Sequence, residues 1–480
     1  MIRVTFLFVL MLICIGVRAQ EPTFQQLLEV GLPLVEIVTI DGEEPSCDYV
    51  LPPEGLGGQT IDNATKVPGR LRKWSGGACV YDSGDYMADS CGMRIKIRGN
   101  TSAYEPKKSF KVKLEQKADL LCRENDSIYG DKEWLLMKED YNIEGGELLY
   151  LMIGLKTSEL CGMPWEPKAE FVNLLLNGDY RGVYMLCEPV KRGGKNHVQV
   201  DKSTGYVIEQ NPYWWKEDIY FVTDRHRKKF TFKYPDPDEV DSTQVAYIKD
   251  VCDEVENAIW NGSFDTYFDV ENMSVWLMAH DILGTWDAAG SNVYLTKYDD
   301  TDNSKMRMGP LWDFGSIMRM SGQWSAIHTS EVFYFRYLLE MAAAVNAPII
   351  NACQLLWETR GQYVPDEMIS FLNDFLVTDE AEALQVSNEW DMARWEHPNP
   401  SVEEMVQKAI NWFRERKEWL SNMYITLGIG HTDMVTSKTR LQPSTRYYDL
   451  MGRSVSHIGR GIRIKVENKA GKIKKTLCVK

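Results

Sequence analysis

The chain is 480 residues long and carries 69 acidic against 54 basic side chains, a net charge of −15. That balance argues against general nucleic-acid binding, which draws most of its affinity from basic groups placed on phosphates. It leaves room for a nucleotide, which is met by a local cluster of Lys, Arg and metal ion, and the length suffices for a large core and more than one domain.

Arg3, the apolar run Val4 to Val17 and the small-residue signal Val17-Arg18-Ala19 read as a secretory signal peptide over residues 1–19, cleaved before Gln20. No later stretch is long and charge-free enough to span a bilayer; Val332 to Trp357 is interrupted by Arg336 and Glu340. The expected product is exported: periplasmic, cell-surface or secreted. Cys14, one of ten cysteines, leaves with the leader, and no Cys-x2-Cys pair remains for structural zinc. Cys47, Cys79, Cys91, Cys122 and Cys161 are disulfide candidates, whereas Cys187 and Cys252 sit in apolar runs as small hydrophobes.

Leu34 to Ile40 is a β-branched run closed by Asp41-Gly42 and predicts a strand; residues 43–90, rich in Gly, Pro and Asp, predict loops or short strands. Met93 to Ile97 and Ser109 to Leu114 alternate as two further strands, with Phe110, Val112 and Leu114 inward and Lys111 and Lys113 on the opposite face. Residues 147–160 predict a helix. Phe171 to Leu176 and Tyr180 to Leu186 flank Asn177-Gly178, a dipeptide made for a tight hairpin turn, and the second strand stops at Cys187-Glu188-Pro189.

Farther on, Val245, Ile248, Val251, Val255 and Ile259 mark an amphipathic helix, and Tyr267 to Leu283 predicts another that leads into Asp287. Ser401 with Glu404 forms a capping box for a helix expected to end near Gly428-Ile429-Gly430. Strands followed by helix-rich sequence predict an α+β fold with two lobes. The last fifty or so residues, 431–480, are locally basic and predict a small β-rich appendage.

Two strings carry the chemistry. Asp287-Ala288-Ala289-Gly290-Ser291-Asn292 has the Asp-x4-Asn spacing of protein-kinase catalytic loops, and Asp313-Phe314-Gly315 repeats the tripeptide whose carboxylate holds magnesium in those enzymes. One carboxylate and one amide from separate loops suffice for Mg²⁺, which keeps several waters. Asp287 would accept the proton of the attacking hydroxyl. Each string is also an ordinary one, since Asp-Phe-Gly is a common turn. Arg98-Gly99-Asn100-Thr101-Ser102 is a polar turn whose amides could approach an anion, with Lys107, Lys108, Lys111 and Lys113 nearby. Glu147 could pair with one of them. The histidines show no zinc-ligand spacing and no Gly-x-Ser-x-Gly elbow is present. Trp214-Trp215 is a candidate stacking platform for a sugar.

In order, Arg98 to Ser102, Pro106 to Leu114, the Asn177 to Tyr184 hairpin ending at Glu188, Asp287 to Tyr294 and Trp312-Asp313-Phe314 resemble the CotH kinase family, named after a spore-coat protein, over roughly Leu34 to Gly430. The resemblance implies a secreted, atypical protein-kinase-like domain (20–430) that uses ATP and Mg²⁺ to phosphorylate a protein at Ser or Thr. It implies Asp287 as the catalytic aspartate, Asn292 and Asp313 as metal positions, Arg98, Lys108 and Lys113 as basic positions around the phosphate-side motif, and Glu188 near the adenine. Family members often carry a second acid two residues after the Trp-Asp motif; this chain has Gly315, and its basic motif is altered at Ser109-Phe110. A weakened kinase fold that binds a protein or glycan partner is the alternative. Tyr448-Asp449-Leu450-Met451-Gly452-Arg453 and the terminal Lys480 resemble the sorting domains of secreted Bacteroidetes proteins, which implies a link to outer-membrane secretion machinery.

Overall fold

A computed structural model describes residues 21–123, 126–138, 147–194, 197–285, 287–288, 290–318, 325, 334, 338, 347–396, 400–433, 444–448, 454–455, 462–469 and 472–479. The signal-peptide reading lies outside the described residues, as does the Asp449 to Arg453 string.

Period-two alternation builds the first sheet. It contains β1 (Leu34–Thr39), β4 (Val67–Ser75), β5 (Ala78–Asp82), β6 (Met93–Arg98), β7 (Ser109–Ala118), β8 (Asp131–Met137), β9 (Ala169–Leu176) and β10 (Asp179–Cys187), while β2 (Asp48–Val50) and β3 (Thr60–Asp62) form a separate two-stranded ladder. Strand order is β1-β9-β10-β8-β7-β6-β4-β5, and β4 pairs with β1 as well, so the sheet closes into a barrel with β5 attached to β4. The β1–β9 pair is parallel and the other pairs are antiparallel. Side chains fill the interior: Val35, Ile37, Leu71, Ile95, Val112, Trp134, Val172 and Leu174 are each fully buried. Each contributes about 1.5–3 kcal/mol of apolar burial. Asn177 (φ 54°) and Gly178 (φ 81°) make the expected β9–β10 turn.

β4 departs from the sequence expectation of loops or short strands over residues 43–90. Val67, Gly69, Leu71 and Lys73 point inward along its nine residues, a pattern that proline, glycine and lysine hide from a hydrophobic reading.

β11 (Tyr206–Gln210), β12 (Tyr220–Val222), β13 (Lys229–Tyr234), β14 (Val293–Lys297) and β15 (Met306–Met308) form a second, antiparallel sheet in the order β12-β13-β11-β14-β15. The helices are α1 (Phe24–Glu29), α2 (Asp126–Tyr129), α3 (Tyr150–Cys161), α4 (Ser242–Asn261), α5 (Phe264–Tyr267), α6 (Val270–Leu283), α7 (Ala347–Thr359), α8 (Val364–Leu376), α9 (Asp379–Trp395) and α10 (Val402–Asp433). The run expected from Tyr267 is split before α6, where Asp269 caps the helix by accepting from the Asn272 amide at 3.0 Å. α10 starts with the expected Ser401–Glu404 capping box and continues past Gly428-Ile429-Gly430. α3 packs against α6 and α8, and one large core joins α3, Val183 and Met185 of the barrel, the second sheet and the helices α4 to α10. The expected α+β class therefore takes the form of a sheet barrel joined to a second sheet and a helical layer.

Strands β16 (Ser444–Tyr448), β17 (Ser454–Val455), β18 (Ile462–Lys469) and β19 (Lys472–Val479) form an antiparallel sheet of their own, which agrees with a β-rich C-terminal segment. Among the described residues no helix is long and apolar enough to cross a membrane. All eight cysteines whose side chains are described are free thiols, including the disulfide candidates Cys47, Cys79, Cys91, Cys122 and Cys161.

His280 gives the core a pH dependence. It lies on α6, 1 % exposed, with Trp276 edge-on at 4.1 Å and no hydrogen-bond partner for either ring nitrogen among the described residues. Burial disfavours the imidazolium and pulls its pKa from 6.5 down to about 3. The unfolded chain therefore binds this proton more readily than the folded one. Stability is full above pH 6.5 and falls as the pH drops toward 3, at about 1.4 kcal/mol per pH unit from this group. His280→Phe should remove that slope, which urea unfolding at pH 7 and pH 5 would read directly.

Candidate active site

α6 is held at the end from which the Asp287 loop departs. Its last carbonyls would be orphans, but Arg416 Nε donates to Asp281 O at 2.6 Å and Trp412 Nε1 to Ile282 O at 3.0 Å, both from α10. Past the helix, the Asp287 amide donates to Ser316 Oγ at 3.3 Å, which ties this loop to the segment after Asp313. Ser291 Oγ donates to Asp287 O at 2.9 Å, and Asn292 Nδ2 reaches Asp287 Oδ2 at 3.4 Å. The acid and amide of the Asp-x4-Asn string thus face each other across one turn.

Asn292 and Asp313 both adopt left-handed backbone, at φ 59° and 63°. Non-glycine residues are uncommon there and are kept where the surroundings fix them. At Asp313 the cause is visible: Trp312 and Phe314 are buried on either side while the carboxylate stays exposed to the cleft. Phe314 lies over Gly154 of α3 so closely that a Cβ on Gly154 would stand 2.1 Å from Phe314 Cδ1. A helical glycine, unfavourable by about 1 kcal/mol relative to alanine, is retained where the ring needs its space.

Gly315 occupies the position of the second acid. A Cβ built there would lie 3.4 Å from Asp313 Oδ1 and 3.9 Å from Glu147 Oε2, so a carboxylate from the residues just before α3 already borders that space.

The facing wall comes from the barrel. β6 ends at Arg98, and Gly99 (φ 112°) turns the chain so tightly that a Cβ would meet Ser102 Oγ at 2.6 Å. Arg98 lies in the cleft, where Nη1 donates to Met137 Sδ at 2.8 Å and no carboxylate pairs with it among the described residues. Burial pulls its pKa down, opposed by Tyr294, Asp313 and Glu209; a guanidinium remains charged in such a setting. Across from it, Lys233 pairs with Glu209 at 2.9 Å, which raises the lysine pKa, and burial next to Glu209 holds Tyr294 protonated.

These groups open on one cavity of about 1060 Å³, lined by Arg98, Glu147, Glu209, Asp287, Asn292 and Asp313 together with further lysines. Of the residues singled out in the sequence, Arg98, Asp287, Asn292 and Asp313 come together there. Lys108, Lys113 and Glu188 do not line it. Lys108 Nζ donates to Ala103 O at 2.7 Å and to the Tyr49 hydroxyl at 2.8 Å. Lys113 is exposed opposite Glu133 on the barrel. Glu188 is buried, accepting from Arg123 at 2.7 Å and from the Lys168 amide at 3.0 Å. Glu209, Lys233, Ser316 and the Phe314–Gly154 contact were not anticipated. Tyr206 to Gln210 alternates too weakly to announce a strand, and a packing contact between residues so far apart leaves no mark in one sequence.

A barrel and a helical layer thus bring Asp287, Asn292, Asp313 and the guanidinium of Arg98 together in one polar cleft. Residues 95–344, just over half of the chain, match the family model described as CotH kinase protein, and the chain belongs to that family. No curated protein matches it.

Proposed function

We propose that this chain is an ATP-dependent phosphotransferase that places the γ-phosphoryl group on a Ser or Thr hydroxyl of a protein. The observation that carries the reading is the union, through the Asp287–Ser316 hydrogen bond, of the Asp287 loop with the Asp313 turn in a cleft that also contains the unpaired Arg98.

Among the described residues no three His, Cys, Asp or Glu side chains are grouped to cage an ion. Mg²⁺ suits the donors that are present, because it takes one or two carboxylates and completes its shell with waters and substrate phosphates. Asp313 and Asn292 would hold it, with Glu147 as the nearest further carboxylate in place of an acid at position 315. When bound, the ion offsets phosphate charge. Asp287 orients the acceptor hydroxyl and takes its proton as the new P–O bond forms and the bond to ADP breaks. Arg98 offsets the charge on the phosphate oxygens, and the Lys233–Glu209 pair borders the same wall. The barrel with α3 would serve as the nucleotide lobe and the second sheet with its helices as the lobe bearing Asp287, a kinase-like arrangement.

The signal-peptide-like residues 1–19 motivate an extracytoplasmic site of action, and the sequence resemblance of residues 431–480 to sorting domains motivates an export role for that segment.

Arg98→Met keeps the contact volume and removes the charge. It should weaken MgATP binding about 10- to 100-fold, the worth of a charge-assisted hydrogen bond. Isothermal titration with MgATP tests this; unchanged affinity in Arg98→Met would remove Arg98 from the nucleotide site.

A further inference from the structure

Three lysines of the cleft, Lys96, Lys111 and Lys216, belong neither to the group around Asp287, Asn292 and Asp313 nor to the Lys233–Glu209 pair. Lys96 on β6 and Lys111 on β7 are direct cross-strand partners, and both line the cavity. Like charges placed opposite each other destabilise a strand pair. Lys111 is relieved by Glu133 at 2.7 Å, and Lys216 enters the same cavity with its ammonium on Ile61 O. Lys96 has no hydrogen bond or ion pair among the described residues, although Asp62 and Glu217 also border the cavity.

This group is separate from the one around Arg98. Lys96 and Arg98 share a face of β6 but stand one pleat repeat apart, roughly 7 Å. The strongest fields on Arg98 come from Tyr294, Asp313, Cys187 and Glu209, whereas those on Lys96 come from Lys111, Lys66, Glu133 and Lys216. Arg98 answers to Tyr294, Asp313, Cys187 and Glu209. Lys96 answers to other lysines, and burial and their repulsion both lower its pKa. A cation desolvated among like charges is stabilised by an anion brought from outside.

We infer that Lys96, Lys111 and Lys216 form a second anion subsite, which takes an acidic side chain of the protein substrate two to four residues from the acceptor hydroxyl. In an extended peptide that separation spans roughly 7–13 Å, and Lys96 stands roughly 7 Å from Arg98 along the same wall. The inference rests on the phosphotransferase reading for its substrate, but the binding it predicts does not require turnover.

The test uses fluorescent nine-residue peptides with a central serine and one glutamate or glutamine scanned along both sides. Anisotropy gives affinities for the full chain and for the Lys96→Gln/Lys216→Gln variant, without nucleotide, and MgATP is titrated into both. Lys96→Gln alone relieves the cross-strand repulsion, so its melting temperature should be equal or higher. The peptide preference is measured for this single variant as well, which controls for folding where Lys216→Gln also removes the contact to Ile61 O. The expected result is about a tenfold preference for the best-placed glutamate peptide at low salt, lost in the variant and weakened by 0.5 M salt, while MgATP affinity changes less than twofold. Equal affinity for glutamate and glutamine peptides in the wild-type chain would overturn the inference. So would a variant that loses MgATP affinity and keeps the peptide preference, because Lys96 would then belong to the nucleotide. An acid preference without any phosphate transfer would leave the subsite standing and sink the phosphotransferase reading instead.

Discussion

Gly154→Ala should cripple the cleft although residue 154 does not line it. The new methyl carbon would begin 2.1 Å from Phe314 Cδ1, against an ordinary carbon–carbon contact of about 3.5–4.0 Å. The ring must therefore move by more than about 1 Å. Alanine gains about 1 kcal/mol of helix propensity, and overpacking costs about 1–3 kcal/mol, so the net loss of stability is small, about 0–2 kcal/mol. The effect on function is larger. Phe314 is the neighbour of Asp313, and a 1 Å misplacement of a reacting group can cost about a hundredfold. Thermal unfolding and MgATP titration of Gly154→Ala should show that split: a melting temperature lowered by a few degrees beside an affinity or rate lowered by about 10²-fold. Gly154→Ala/Phe314→Leu should recover part of both, because the two residues share one space and their effects are not additive. Two simply additive losses would show that Phe314 does not transmit the change.

The second large effect separates the two carboxylates. On the proposed reading Asp287→Asn removes the acceptor of the hydroxyl proton and keeps the side-chain shape, so the turnover rate should fall about 10²–10⁴-fold with MgATP affinity little changed. Asp313→Asn should instead weaken the dependence on Mg²⁺, raising the metal concentration needed for half-maximal nucleotide binding by tenfold or more. Neither side chain is fully buried, so both variants should fold with melting temperatures close to the wild type. A pair of variants with the same defect in metal dependence would argue against distinct roles.

The sequence showed most clearly the features that short-range physics dictates. Asn177-Gly178 announced its turn because few other dipeptides accept two left-handed residues, and β6, β7 and α4 followed from plain periodicity. Asp287, Asn292, Asp313 and Arg98 were legible because each sits in a short string with its own chemistry, and the structure gathers them in one cleft. What stayed hidden depends on closure in space. β4 carries Gly69 and Lys73 at inward positions, so only the barrel reveals its pattern. Lys108, Lys113 and Glu188 were chosen for charge and motif position, and the facing of the strand and the Arg123 pair then directed them elsewhere. That Glu147, distant in sequence, borders the space beside Gly315 is likewise visible only in the fold.

Transfer of radiolabel from γ-labelled ATP to a serine-containing protein acceptor, with Mg²⁺ and in parallel for the wild-type chain and Asp287→Asn, tests the phosphotransfer assignment most directly. The wild-type chain should label the acceptor only when Mg²⁺ is present, and Asp287→Asn should label it at least about a hundredfold more slowly while binding MgATP equally well. Equal labelling by both chains, or MgATP binding in the wild type with no transfer to any acceptor, would contradict it.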